Sequence, residues 1–105
     1  MKKLPKNFRW IEERFQEVMA AHQQLGKAVR AAGPLDAKSA ELIGLAASAT
    51  RGSEGAVHSH VRRARKAGAS DEEIYHCLVL LTSTIGFPAV AAAISWAREI
   101  LATDE

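Results

Sequence analysis

Four histidines, one cysteine and a few well-spaced carboxylates hold most of the chemistry this chain can offer. His58 and His60 fall in a segment that reads as a helix from Ser53 to Ala67. Ser53 is a good N-cap, and Gly68 suits a left-handed residue past the end. On that helix Ser53, Ala56, His60 and Ala64 share one stripe, while Glu54 faces His58 across one turn. His58-x-His60 with His76 and a carboxylate raises a metal site, because imidazole and carboxylate suit zinc or iron. Residues two apart on a helix diverge by about 200°, so at most one of the pair can face a common ion. Neither a metal nor a cofactor is therefore expected.

Cys77 follows His76 and could act alone as a one-cysteine peroxidase or a redox sensor. Leu78, Leu80 and Leu81 follow it closely, which favours a small core residue instead. The run Arg62-Arg63-Ala64-Arg65-Lys66 could recruit a carboxylate substrate, since guanidinium groups bind carboxylates in bidentate fashion. A solvated helix end that complements the helix dipole is the simpler expectation. His22 reads as semi-buried or interfacial, and Trp10 and Trp96 as core or interface packing.

The elements that must position these groups are legible as helices. Phe8, Ile11, Phe15, Val18, Met19, His22, Leu25 and Val29 recur at three- and four-residue steps, predicting one amphipathic helix over 7–32 that Gly33-Pro34 ends. Asp36 is an N-cap for a second helix, reaching about Ser48 and looking largely buried through Leu42, Ile43, Leu45 and Ala46. After the Ser53 helix, Ser70-Asp-Glu-Glu73 has the form of a capping box and opens a fourth helix through Leu81. Gly86-Phe-Pro88 interrupts it. A fifth helix then runs from about Ala89 to Leu101, with a frayed tail over 102–105. No segment alternates with period two for long enough to argue a strand.

A chain of 105 residues is one domain by length, small enough that association would help it bury surface. Apolar residues make up 48% but aromatics only 6%, a composition of small aliphatics that favours helix-on-helix packing. The formal charge of +2, with acids and bases interleaved, argues against nucleic acid as a partner. The charged start Asn-Phe-Arg-Trp-Ile-Glu-Glu-Arg does not suit a signal peptide, and no apolar run reaches the roughly 20 residues that span a bilayer. A lone cysteine fits a reducing compartment. A cytoplasmic protein without membrane association is expected.

Between Leu35 and Ala91 the chain reads Glu41-Leu-Ile-Gly-Leu-Ala, Ser53-x-x-Ala56-x-x-x-His60-x-x-x-Ala64-x-x-x-Gly68-Ala-Ser-Asp-Glu-Glu-Ile74 and Gly86-Phe-Pro-Ala. In this order it resembles the carboxymuconolactone decarboxylase superfamily, which includes the AhpD-like alkylhydroperoxidases. The resemblance implies an all-α, AhpD-like bundle of about five helices, with the family-like core over 35–101, forming a homotrimer or homohexamer. It also implies that a helix-2 glutamate, Glu41, lies beside the helix-3 histidine, His60. Such a pair orients one ring nitrogen for general acid or base catalysis, or simply locks two helices together.

In the peroxidase branch the third helix opens Cys-x-x-Cys-x-x-x-His; here Ser53 and Ala56 stand where the cysteines would be. Serine offers no thiolate near neutral pH and alanine no nucleophile, so the disulfide cycle is closed to this chain. The lactone decarboxylases also lack the cysteine pair. They place an acid four residues before the histidine, where this chain has Ala56 and its nearest acid is Glu54. The expected function is a carboxymuconolactone-decarboxylase-like enzyme or binder. Glu41 and His60 would transfer a proton on a small acid or lactone, with Ser53, Glu54, Ala56 and His58 in contact with substrate. An AhpD-like hydroperoxidase and a non-catalytic assembly module are the alternatives.

Overall fold

The computed structural model describes residues 5–103, and every regular element among them is helical. The elements are α1 (Lys6–Arg14), α2 (Gln16–Ala31), α3 (Ala37–Arg51), α4 (Glu54–Lys66), α5 (Asp71–Val79), α6 (Thr82–Ile85) and α7 (Phe87–Thr103). They fall into two compact units, residues 1–34 and 35–105.

In the first unit the single helix expected over 7–32 is broken. Phe15 leaves the helical region at φ −127°, ψ 58°, separating α1 from α2. The bend sets the Phe15 ring edge-on to Trp10, with centroids 6.2 Å apart, and Arg14 stands 5.5 Å over the same indole. Neither helix contains a buried residue. Trp10, Phe15, Val18, Leu25 and Val29 are all about half exposed or more, and His22 is exposed rather than semi-buried.

The second unit is built around a stripe from each long helix. Leu45 and Ala49 of α3, Val57, Val61 and Ala64 of α4, Ile74 and Leu78 of α5, and Ala93, Ala97, Ile100 and Leu101 of α7 form one buried cluster. The three- and four-residue steps are those of a helix face, and each fully buried Leu or Ile contributes about 1.5–3 kcal/mol. Alanines at four of these positions let the backbones approach closely. Trp96 packs against the cluster.

Three side-chain caps set the helix starts where the sequence predicts them. Asp36 accepts from the Ser39 N–H at 2.8 Å, which holds its carboxyl below the ordinary value. Ser53 accepts from the Ala56 N–H at 3.4 Å. Ser70 and Glu73 complete a reciprocal capping box at 3.0 and 2.9 Å.

Further expectations need correction. α3 is not largely buried: only Glu41, Leu45, Ser48 and Ala49 are, and Ile43 is 56% exposed. The fourth helix stops at Val79, because the chain tightens to i→i−3 bonding at Leu81 and the Thr82 hydroxyl donates to the Val79 carbonyl. One helical turn, α6, follows before Gly86 at φ 91°. α7 then begins at Phe87, with Pro88 inside its first turn, where a missing N–H leaves no bond unmade. It persists through Thr103, so the tail expected to fray at Ala102 is helical there; Asp104 and Glu105 lie outside the described residues, as does the basic Met1–Leu4. No described helix is long and apolar enough to cross a membrane.

Candidate functional site

The site begins with a tight turn. α3 ends at Gly52 in the left-handed region, φ 69°, and the Gly52 and Ser53 N–H groups donate to the carbonyls of Ala49 and Ser48 at 3.0 and 3.1 Å. Ser53 at once caps α4, so only two residues join the helices and α4 folds back along α3. This hairpin lays His60 of α4 over the first turns of α3.

There His60 Nδ1 lies 3.1 Å from Glu41 Oε1. The Glu41 side chain is 8% exposed and that of His60 21%, so the carboxyl group is shut in while the imidazole stays partly accessible. Gly44, one turn beyond Glu41, makes the approach possible. A Cβ built there would fall 2.5 Å from His60 Cε1 and 2.7 Å from Nδ1. Buried Ser48, a further turn along, donates its hydroxyl to the Gly44 carbonyl at 2.8 Å and fixes that stretch of backbone. When Nδ1 carries the ring hydrogen, Glu41 accepts it and Nε2 is left as the basic nitrogen; when both nitrogens are protonated, the carboxylate balances the charge. The arrangement can take up or deliver one proton.

The remaining sequence-predicted residues divide between two sides of α4. Ser53 and Ala56 are half-buried in its first turn, and the Ser53 hydroxyl is engaged in capping. His58 turns the other way. Its Nε2 lies 2.9 Å from Oε1 of Glu99 on α7, and Glu54 joins them, one ligand atom from each residue lying within 4.8 Å of the others. His58 and Glu54 thus face each other as their spacing predicts, but they do not share a cluster with Glu41 and His60.

Cys77 belongs to neither group. Its thiol donates to the Leu42 carbonyl at 3.3 Å, and burial pushes its pKa above the ordinary 9.0, so it is held as a thiol. It lines an open, mainly apolar hollow of about 410 Å³ with Leu42, Ile43, Ala46, Leu80 and Leu81, to which Glu73 and His76 also contribute and which neither Glu41 nor His60 borders. In the basic run Arg63 and Lys66 are exposed, and Arg65 reaches Asp71 at 3.8 Å. The solvated helix end expected here holds for Arg63 and Lys66 but not for Arg62, which is half-buried with its Nε shut away from solvent and without a hydrogen-bond partner among the described residues.

Gly44 and Glu99 are the two participants that sequence reasoning missed. Gly44 carried a usable signal, since a glycine inside a helix costs stability unless something comes close to it. Glu99 carried none, because it is an exposed acid whose neighbours come from a helix 41 residues away in sequence.

No curated protein matches the chain significantly. Residues 16–99 do match the carboxymuconolactone decarboxylase family, a span that takes in α2 to α6 and most of α7. The chain therefore belongs to the carboxymuconolactone decarboxylase family.

Proposed function

We propose that this protein is a small-molecule enzyme or binder in which His60, oriented by Glu41, exchanges a proton with a small carboxylic acid or lactone. One observation carries the reading: a histidine ring seated on a glycine, bonded at 3.1 Å to a buried carboxylate and itself still 21% exposed. A general base must be reachable by its substrate, and a partly exposed ring held by a buried acid meets that requirement. Ser53 and Ala56 sit at the start of the same helix, on the stripe that carries His60. Thiol peroxidase chemistry lacks support, because the family's cysteine positions hold Ser53 and Ala56 and Cys77 is held protonated by burial.

The active form in this proposal is a homo-oligomer, a trimer or hexamer. Its support is the apolar surface the chain exposes on Phe15, Val18, Leu25 and Val29 and on Ile43, Leu80 and Phe87.

The test is a thermal-shift and turnover screen against small carboxylates and lactones, run on the wild type and His60→Ala. A ligand at 100 times its dissociation constant raises stability by about 2.7 kcal/mol. The expected result is a ligand-dependent shift that His60→Ala abolishes while the oligomer, measured by sedimentation, persists. A shift that survives in His60→Ala would remove the histidine from the function, and silence across the panel would favour an assembly module.

A further inference from the structure

On the far side of α4, we infer that Glu54, His58 and Glu99 form a binding site for a divalent transition metal of the zinc class. Two of the ligands are a chelating pair on one helix: Glu54 and His58 are four residues apart, so both project from the same face. The third comes from α7, whose packing on α4 brings Glu99 Oε1 to 2.9 Å from His58 Nε2. All three ligand atoms lie within 4.8 Å of one another.

Around a tetrahedral zinc, with bonds of about 2.0–2.1 Å, ligand atoms stand roughly 3.3 Å apart. The His58–Glu99 separation is already near that value. Glu54 is exposed and can close the remaining gap by side-chain rotation without moving either helix.

The chemistry of the donor set selects the ion. One imidazole and two carboxylates suit zinc and its neighbours, whereas calcium takes six to eight oxygens and magnesium keeps most of its water. Two carboxylates neutralise the charge of a divalent ion, and a neutral imidazole adds a nitrogen ligand that proton binding would otherwise occupy. Three protein ligands leave a fourth position open to water or an anion. All three residues belong to one chain, so the site is complete in each subunit. It is also separate from the His58-x-His60 pairing that helix geometry excludes, because His60 faces α3.

The experiment is titration of the full, tag-free chain with Zn²⁺ by calorimetry, and with Co²⁺ by its visible absorption, which reports the coordination geometry. One ion per chain is expected. His58→Ala should weaken binding by at least about 100-fold, and Glu54→Gln and Glu99→Gln by about tenfold each. His60→Ala should leave it unchanged. The exposed Glu99 makes Glu99→Gln a safe second variant if His58→Ala proves unstable. No saturable binding to the wild type, or affinity unchanged in both His58→Ala and Glu99→Gln, would overturn the assignment. So would binding lost in His60→Ala but kept in His58→Ala.

Discussion

Two histidines two residues apart on α4 meet opposite surroundings. His60 turns onto α3, where Gly44 lets the ring sink against the backbone and a buried carboxylate takes its Nδ1. His58 turns toward α7 and meets Glu99, 57% exposed, with Glu54 beside it. The side chains of both rings are 21% exposed, so the difference lies in their partners. A shut-in partner fixes one ring nitrogen of His60, whereas the partners of His58 are exposed acids at the surface. The same residue type on the same helix thus meets two environments, set by what packs on each side.

The largest expected effect that would break this contrast comes from Gly44→Ala. The new methyl would occupy space now held by the His60 ring, which must swing away from Glu41. Losing a hydrogen bond to a charged, buried group costs about 1.5–3 kcal/mol, more than the roughly 1 kcal/mol of helix propensity that alanine brings. Gly55→Ala on α4 is the control. A Cβ there meets nothing within 4 Å, so the change should be neutral or slightly stabilising. Urea unfolding of both variants checks this, and equal stability would mean the ring does not need the glycine.

Next in size is the difference between the two acid partners. Glu41→Ala removes a buried acceptor and should cost about 1.5–3 kcal/mol, while Glu99→Ala removes an exposed one and should cost no more than about 1 kcal/mol. Double-mutant cycles of Glu41 with His60 and of Glu99 with His58 isolate the two couplings. Equal couplings would erase the contrast between the two sides of the helix.

What the sequence disclosed and what it hid follow the range of the interactions. The caps at Asp36, Ser53 and Ser70 were legible because each is closed by a residue three positions away. Opposite orientations for His58 and His60 followed from helix geometry alone. The neighbourhood of Glu41 and His60 came from family resemblance, since nothing local ties residues 19 apart. Glu99 was invisible because only the packing of α7 on α4 brings it near. The burial of α3 was overestimated because its apolar run says how much is hydrophobic, not which face has a neighbour; Ile43 has none inside the chain's core. The bend at Phe15 leaves no mark on the sequence, because the apolar period continues unbroken through it.

The smallest effect supplies a scale for the others. Lys38 of α3 and Glu73 of α5 pair at 2.9 Å, both substantially exposed. The Glu73 carboxyl is held below its ordinary 4.5, first by the Ser70 N–H and then by Lys38, while Lys38 is raised above 10.5 by Glu73. On the acid side the folded chain binds fewer protons than the unfolded one, so the contribution is full above pH 4.5 and fades as pH falls through the lowered folded value. On the alkaline side the raised lysine contributes fully below 10.5 and loses its share as pH rises through the higher folded value. Glu73→Gln should therefore lower the thermal midpoint slightly near neutrality, by less than either buried substitution. The gap to wild type should close in acid, where both of the carboxylate's charged contacts are lost. It should close only in part in alkali, where Lys38 is discharged but the Ser70 N–H still meets a carboxylate. A gap that stayed constant across both limbs would mean that the exposed pair contributes through packing rather than charge, and the coupling of Glu99 on α7 to His58 on α4 would then have to be judged on the same footing.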